Sequence, residues 1–344
     1  MRRCLELAQL GAGNVAPNPM VGAILVYNNK IIGEGYHQKF GEAHAEVNCL
    51  KSVEEVNHEL IQKSTSYVSL EPCAHFGKTP PCADFIIKNK IPHVVVGCTD
   101  SYERVNGAGI KKMIGAGIKV NVGILENECR SLNKRFFTFH NKKRPYIILK
   151  WAQSADGFIS GQNRLAAKIS NTYTDKIVHK WRGEESAILV GANTVASDNP
   201  NLTTRHWTGK NPVRIIIDEQ LSLDQNFNIF DCEAETIIIN RIKNLSYNKN
   251  IFSQMSLDKT IVDGTLGCLY NRQLNSVIIE GGSKTLQLFI DSGLWDEARV
   301  ITNMDLLLVA GLKSPLLTHQ HLQSSFNIFS DKLDFFQNTI NDSL

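Results

Sequence analysis

The chain is predicted to be an α/β protein built from two layered domains, residues 1–143 and 144–344. Two patterns predict it. Short β-branched runs, such as Val21-Gly22-Ala23-Ile24-Leu25-Val26-Tyr27, alternate with helical stretches along the whole length, as when helices cover a sheet. A polar, basic, proline-terminated stretch, His140-Asn141-Lys142-Lys143-Arg144-Pro145, then breaks the alternation before a fresh strand begins, which marks a domain boundary.

In the first domain residues 5–10 read as an amphipathic helix. Asn18-Pro19-Met20 is a turn that launches the strand 21–27, and Asn28-Asn29 is a hairpin turn into the strand 31–36. A helix over 44–56 and a strand over 67–70 follow. Pro81 suits the first position of a helix that runs to residue 90. Strand 93–97, helix 107–115, strand 119–122 and one continuous helix over 127–139 complete the domain. The second domain reads as strand 146–152, helix 173–182 and strands 187–190, 213–217, 236–239 and 276–279. The glycine turn Gly281-Gly282 then leads into a helix over 286–292 and a strand over 298–303. Residues 330–344 are polar and are expected to be loosely held. No internal repeat is found.

Composition narrows the function. Of 344 residues 42% are hydrophobic and 21% charged, which suits a globular protein with a full core. Thirty-seven basic and 34 acidic residues leave a net charge of +3, so neither a nucleic-acid nor a membrane partner is expected. No apolar run approaches the ~20 residues of a membrane span. The start, Met1 to Ala12, lacks the apolar centre of a signal peptide, so a cytoplasmic location is expected. Of the eight cysteines, Cys73 and Cys82 are read as metal ligands. Cys4, Cys49, Cys98, Cys129, Cys232 and Cys268 are read as small apolar side chains rather than disulfides.

Three short segments carry chemistry: His44-Ala45-Glu46, Glu71-Pro72-Cys73 and Pro80-Pro81-Cys82. One imidazole and two thiolates leave tetrahedral Zn²⁺ a fourth position for water, the catalytic arrangement. Zinc lowers the pKa of such a water from ~15.7 toward ~7. Glu46, two residues past His44, is the expected proton carrier. The order His-x-Glu, Pro-Cys, Cys is the signature of zinc deaminases of nucleosides and nucleobases. His44, Glu46 and Cys82 are expected in the first turns of helices, whose positive ends favour thiolate and hydroxide. A closed Cys₂His₂ site with His75 as fourth ligand, serving a zinc-stabilised binding module, is the competing reading.

The run Glu71-Pro72-Cys73-Ala74-His75-Phe76-Gly77-Lys78-Thr79-Pro80-Pro81-Cys82, together with Pro17-Asn18-Pro19, Val21-Gly22 and His44-Ala45-Glu46-Val47, resembles the bifunctional deaminase–reductases of riboflavin biosynthesis. The insert between the cysteines separates that family from cytidine and tRNA deaminases. The resemblance covers nearly the whole chain. It implies a cytidine-deaminase-like three-layer α/β/α zinc domain followed by a dihydrofolate-reductase-like domain. It also implies Zn²⁺ and NADPH as cofactors and a small pyrimidine ribotide phosphate as substrate. Deamination of 2,5-diamino-6-(5-phosphoribosylamino)pyrimidin-4(3H)-one would precede reduction of the product's ribosyl chain to ribityl, and a homo-oligomer is expected. In the deaminase half, Asn18 would meet the pyrimidine edge, and His75, Lys78 and Thr79 the phosphate.

In the reductase half the resemblance rests on the strand around Ala152, on Gly191-Ala192-Asn193-Thr194-Val195, and on the block from Asp198 to Arg205. It implies that Ala152, Lys168, Thr194 and Asp198 face the cofactor. It implies that Ala166, Arg182, Leu202, Arg205 and Glu280 face the substrate, where guanidinium groups suit a sugar phosphate. Glu280-Gly281-Gly282-Ser283-Lys284-Thr285 follows a strand and opens a helix, so Gly282, Ser283, Lys284 and Thr285 are expected to cradle a cofactor phosphate on backbone N–H groups. Three departures stand out. Ala166 and Lys168 lie where the family commonly has serine and tryptophan. Asp100-Ser101-Tyr102-Glu103-Arg104-Val105-Asn106-Gly107 lacks the two prolines usual in that substrate-side loop. A deaminase whose second domain has lost its chemistry is the alternative that Ala166 and Lys168 leave open.

Overall fold

The computed structural model describes residues 1–76, 80–100, 107–162 and 167–340. The chain divides into two compact units, Met1–Lys143 and Arg144–Leu344. Among the described residues no helix is long and apolar enough to cross a membrane.

Unit 1 contains α1 (Arg2–Gln9), β1 (Gly22–Tyr27), β2 (Lys30–Tyr36), α2 (Ala45–Lys51), β3 (Thr65–Leu70), α3 (Cys82–Lys88), β4 (His93–Cys98), α4 (Ala108–Gly115), β5 (Lys119–Val122), α5 (Glu126–Leu132) and α6 (Lys134–Lys142). The sheet runs β2-β1-β3-β4-β5, antiparallel at its β2, β1 and β3 end and parallel from β3 through β5. Asn28 and Asn29 make the hairpin turn with φ of 45° and 60°, the left-handed pair that a tight hairpin needs. Helices cover both faces. Val94 and Val96 pack with Ile86 and Met113 on one side, while Leu70 and Cys98 pack with Cys129 and Phe137 on the other. α2 lies so close to β2 that a Cβ on Gly35 would stand 2.2 Å from the Cys49 nitrogen. Glycine there lets the helix that begins after His44 settle on the sheet.

Three features of unit 1 differ from the sequence reading. The helix expected over 44–56 stops at Lys51, and a 3-10 segment, Glu55–Lys63, follows it. Pro81 is the residue before the first turn of α3 rather than its first residue. The continuous helix expected over 127–139 is two helices, broken at Asn133. The cause is a side chain: Asn133 Oδ1 accepts from the Met20 N–H at 2.8 Å, and its Nδ2 donates to the Met20 carbonyl at 2.9 Å. One buried amide therefore fixes the turn two residues from Asn18.

Unit 2 contains β6 (Tyr146–Ser154), β7 (Phe158–Ser160), α7 (Thr172–Glu184), β8 (Ala187–Gly191), α8 (Ala192–Asp198), β9 (Val213–Ile217), β10 (Thr236–Asn240), β11 (Leu245–Tyr247), β12 (Asn250–Gln254), α9 (Ile261–Asn271), β13 (Ser276–Ile279), α10 (Ser283–Asp291), β14 (Glu297–Asn303), β15 (Leu312–Lys313), β16 (Gln320–Ile328) and β17 (Asp331–Asn338). Among the described residues ten strands form one sheet in the order β11-β12-β10-β9-β8-β13-β6-β14-β17-β16, and β15 pairs with β7. The central strands are buried on both faces. Ile147, Leu149 and Trp151 of β6 enter one core, while Tyr146 and Ile148 enter the other. At its start Arg144 grips Asp296 through two hydrogen bonds of 2.6 and 2.9 Å, both side chains buried.

The expectation of a loose terminus is overturned over 330–340. β17 sits between β14 and β16, Leu333 is buried, and polar Asp331 and Asn338 are fully buried. Asp331 accepts from the Asn171 N–H at 2.8 Å, and Asn338 donates to the Trp295 carbonyl at 2.8 Å. These polar groups are spent inside the fold, so polarity misreads as exposure. α10 also starts three residues earlier than expected, at Ser283.

Replacing Asn133 by alanine strands two backbone groups of Met20, each worth about 1–3 kcal/mol when buried without a partner. Urea unfolding of Asn133→Ala should show a loss of about 2 kcal/mol or more. An unchanged midpoint would contradict this account of the helix break.

Candidate active sites

His44 immediately precedes the first turn of α2 with extended backbone (φ −74°, ψ 169°), so its ring leaves the helix end while Glu46 enters the first turn and is buried. Cys73 lies three residues past β3. Cys82 opens α3, and its N–H donates to Cys73 Sγ at 3.3 Å. His44 Nδ1 stands 3.6 Å from Cys73 Sγ and 3.3 Å from Cys82 Sγ, and the three donor atoms lie within 4.8 Å of one another. Tetrahedral zinc with bonds of ~2.0 Å to nitrogen and ~2.3 Å to sulfur requires N···S near 3.5 Å, so these donors fit the ion. Among the described residues this is the single group of three or more donors that could hold a metal, and His75 is not in it. The closed four-ligand reading loses its fourth ligand.

Electrostatics separate the groups. The hydrogen bond from Cys82 holds the Cys73 thiol down at about 4, and that same contact with burial pushes Cys82 well above the ordinary thiol value. Burial first, then the Cys73 charge, raises the Glu46 carboxyl, which contacts Cys82. A raised carboxyl beside the cluster can hold a proton at a pH where an exposed glutamate cannot.

The sequence reading gave His37 no role, yet its ring stands 5.2 Å from that of His44. Its Nδ1 faces the Ala43 carbonyl at 3.1 Å and its Nε2 faces Asn18 Nδ2 at 3.2 Å. Asn18 thus belongs to the cluster's surroundings. Lys78 and Thr79 lie outside the described residues.

In unit 2 two turns meet. A Cβ on Gly191 would stand 2.6 Å from Thr285 Oγ1, and one on Gly282 would stand 3.0 Å from Thr194 Oγ1. Gly282, at φ +27°, carries no capping side chain for α10, so the first N–H groups at Ser283, Lys284 and Thr285 start a helix beside Thr194. This cradle, which added Cβ atoms would fill, suits a dinucleotide phosphate. Asp198 ends α8 and is exposed; partial desolvation raises its carboxyl.

Glu280, just past β13, anchors the other side. Arg182 donates to it twice, Nε at 2.9 Å and Nη2 at 2.7 Å, and Lys150 Nζ stands 3.6 Å away. Burial works against the carboxylate, but Arg182 and Lys150 outweigh it and hold Glu280 at about 2. Arg182 is therefore engaged rather than an open fork for phosphate. Lys150, half-buried on β6, was missed because in sequence it is one polar residue inside a strand. Arg205 is exposed, with Nη1 on Thr203 Oγ1 at 3.1 Å and its N–H on His179 Nδ1 at 3.0 Å. Leu202 is buried with φ +54°. Ala152 is half-buried on β6. Lys168 stands 3.9 Å from Asp175 with an exposed side chain, an ion pair of little energetic weight. Ala166 lies outside the described residues.

Comparison with known proteins accounts for both units. Residues 1–98 match the cytidine and deoxycytidylate deaminase zinc-binding region, and residues 145–307 match the RibD C-terminal domain. The riboflavin biosynthesis protein RibD of Aquifex aeolicus is 40% identical over 303 residues, covering 86% of this chain and 83% of that relative. The chain belongs to the RibD family. RibD of Actinobacillus pleuropneumoniae is 35% identical, covering 86% of this chain and 80% of that protein. The crystal structure of a diaminohydroxyphosphoribosylaminopyrimidine deaminase/5-amino-6-(5-phosphoribosylamino)uracil reductase from Thermotoga maritima superposes with a TM-score of 0.89 at 36% identity, covering 98% of this chain and 97% of that one. RibD of Acinetobacter baumannii superposes with a TM-score of 0.87 at 29% identity, covering 98% and 97%. As a family member the protein is a bifunctional zinc deaminase and NADPH-dependent reductase of riboflavin biosynthesis, with a cytidine-deaminase-like fold followed by a dihydrofolate-reductase-like fold.

The ionised form of Glu280, held at about 2 against an ordinary 4.5, stabilises unit 2 fully above pH 4.5, and that contribution is lost as pH falls from there toward 2. Glu280→Gln should cost about 3 kcal/mol at neutral pH, because it leaves the largely enclosed Arg182 and Lys150 without their carboxylate. Melting scans between pH 6 and 2.5 should therefore converge for variant and wild type at the acid end; parallel curves would contradict this.

Proposed function

We propose that unit 1 hydrolytically deaminates 2,5-diamino-6-(5-phosphoribosylamino)pyrimidin-4(3H)-one and that unit 2 reduces the ribosyl chain of 5-amino-6-(5-phosphoribosylamino)uracil to ribityl. The observation that carries the first half is the three-donor cluster with the buried carboxyl of Glu46 against it. The names carried by the Thermotoga maritima enzyme support both substrates.

His44, Cys73 and Cys82 would hold the zinc, which when bound makes water acidic enough to supply hydroxide near neutral pH. Glu46 takes the proton lost by water and delivers it to the ring nitrogen as the C–O bond forms. It then carries the proton of the newly added hydroxyl to the amino group; the C–N bond breaks as the C=O forms, and ammonia leaves, so that water and the diaminopyrimidinone become the uracil and ammonia. Asn18, oriented by His37, meets the pyrimidine edge. His75, with Lys78 and Thr79 on the insert, takes the ribotide phosphate.

In unit 2 NADPH supplies the hydride when bound. Gly282, Ser283, Lys284, Thr285 and Thr194 would hold its phosphates, and Ala152, Lys168 and Asp198 would complete that side. Ala166, Leu202, Arg205, Glu280 and Arg182 form the substrate side, with Arg205 the arginine available to the sugar phosphate because Arg182 is engaged by Glu280. The protein's main contribution to this step is orientation of the two molecules. The functional assignment of residues 1–143 and 144–344, a homo-oligomeric state and a cytoplasmic location that keeps ligand thiols reduced belong to the same proposal.

Zinc-loaded full-length protein, given the diaminopyrimidinone ribotide and NADPH, should release ammonia and consume NADPH in sequence. Glu46→Gln should keep its zinc and lose ammonia release by a factor of at least ~10² while still reducing supplied deaminated ribotide. Ammonia release with NADPH untouched would overturn the reductase half; loss of zinc from Glu46→Gln would overturn the role of Glu46.

A further inference from the structure

Glu71 is a buried carboxylate that takes no part in the chemistry above. It directly follows β3, and its own N–H donates to the Cys98 carbonyl at 3.0 Å, extending the β3–β4 pairing by one residue. Among the described residues its side chain accepts four backbone N–H groups, one from Asp100 and three from residues 107–110. Oε2 receives Asp100 at 3.3 Å and Gly107 at 2.9 Å; Oε1 receives Gly109 at 3.0 Å and Ile110 at 3.3 Å. α4 begins here on Gly107, at φ +81°, with no acidic residue in its own first turn. A glutamate from an adjacent strand thus supplies the anion that the helix start lacks. The seam is tight, since a Cβ on Gly109 would stand 1.9 Å from the Pro72 carbonyl oxygen.

Adjacent parallel strands present their carboxyl ends on one side of a sheet, and there ligands bind. β3 ends toward Cys73 and β4 toward Asp100, so Glu71 joins the metal side of that edge to its other side. We propose that Glu71 is a positioning residue for the pyrimidine ribotide: its carboxylate locks Asp100 and residues 107–110 against the Pro72-Cys73 segment and so shapes the substrate's resting place, without serving metal binding or proton transfer. This rests on the deaminase reading of unit 1.

Glu71→Gln in the full-length, zinc-loaded protein tests it, because the amide keeps one acceptor oxygen and sets an NH₂ group against two N–H donors. Zinc content should match wild type, kcat for ammonia release should stay within about threefold, and KM for the ribotide should rise at least about tenfold. Glu71→Asp, which keeps the charge, should give a KM between the two. Amide hydrogen exchange at residues 107–110 should quicken in Glu71→Gln. An active wild type whose variant keeps its KM within about twofold overturns the proposal alone, and loss of zinc overturns it by making Glu71 part of the metal site. A wild type that releases no ammonia overturns the deaminase reading and this proposal with it.

Discussion

A tetrahedral metal site tolerates little error in the placement of its donors, and unit 1 is arranged around that constraint. His44, Cys73 and Cys82 come from three separate stretches of chain, yet their donor atoms lie within 4.8 Å of one another. Each is delivered by the end of a regular element: the start of α2, the exit of β3 and the start of α3. Ends of elements do this well because the backbone there is already fixed by packing behind it, as Gly35 shows where α2 settles on β2. Local hydrogen bonds finish the work, the Cys82 N–H to Cys73 Sγ at 3.3 Å among them.

Unit 2 solves a different problem. Two of its turns must pack closely, and Gly191 and Gly282, without side chains, let Thr285 and Thr194 approach. Beside these turns Glu280 is held ionised by Arg182 and Lys150. A buried carboxylate costs several kcal/mol unless it is paired, so this trio stays together or fails together. The exposed pair of Lys168 and Asp175 has no comparable hold.

The metal donors were readable in the sequence because each sits in a short motif whose residue types the chemistry itself demands. The strands of the first sheet and β6, β8, β9, β10, β13 and β14 of the second were readable from β-branched runs, whereas β11, β12 and β16, short or largely exposed and polar, were not. Gly282 was readable from its place between strand and helix. What escaped depends on partners far along the chain. Asn133 breaks a helix because of Met20, and Glu71 is explained by Asp100, Gly107, Gly109 and Ile110. β17 looked like a loose tail because its buried Asp331 and Asn338 are polar, and only their partners show why burial is tolerated. Lys150 looked like an isolated polar residue until Glu280 was placed beside it.

The central claim is that the zinc tripod leaves one position open for the reacting water. X-ray absorption at the zinc edge of the full-length protein addresses it directly. One nitrogen and two sulfur neighbours at about 2.0 and 2.3 Å are expected, together with one light oxygen neighbour that exchanges with solvent. Two nitrogens with two sulfurs, and no exchangeable neighbour, would mean a closed structural site and would contradict the account.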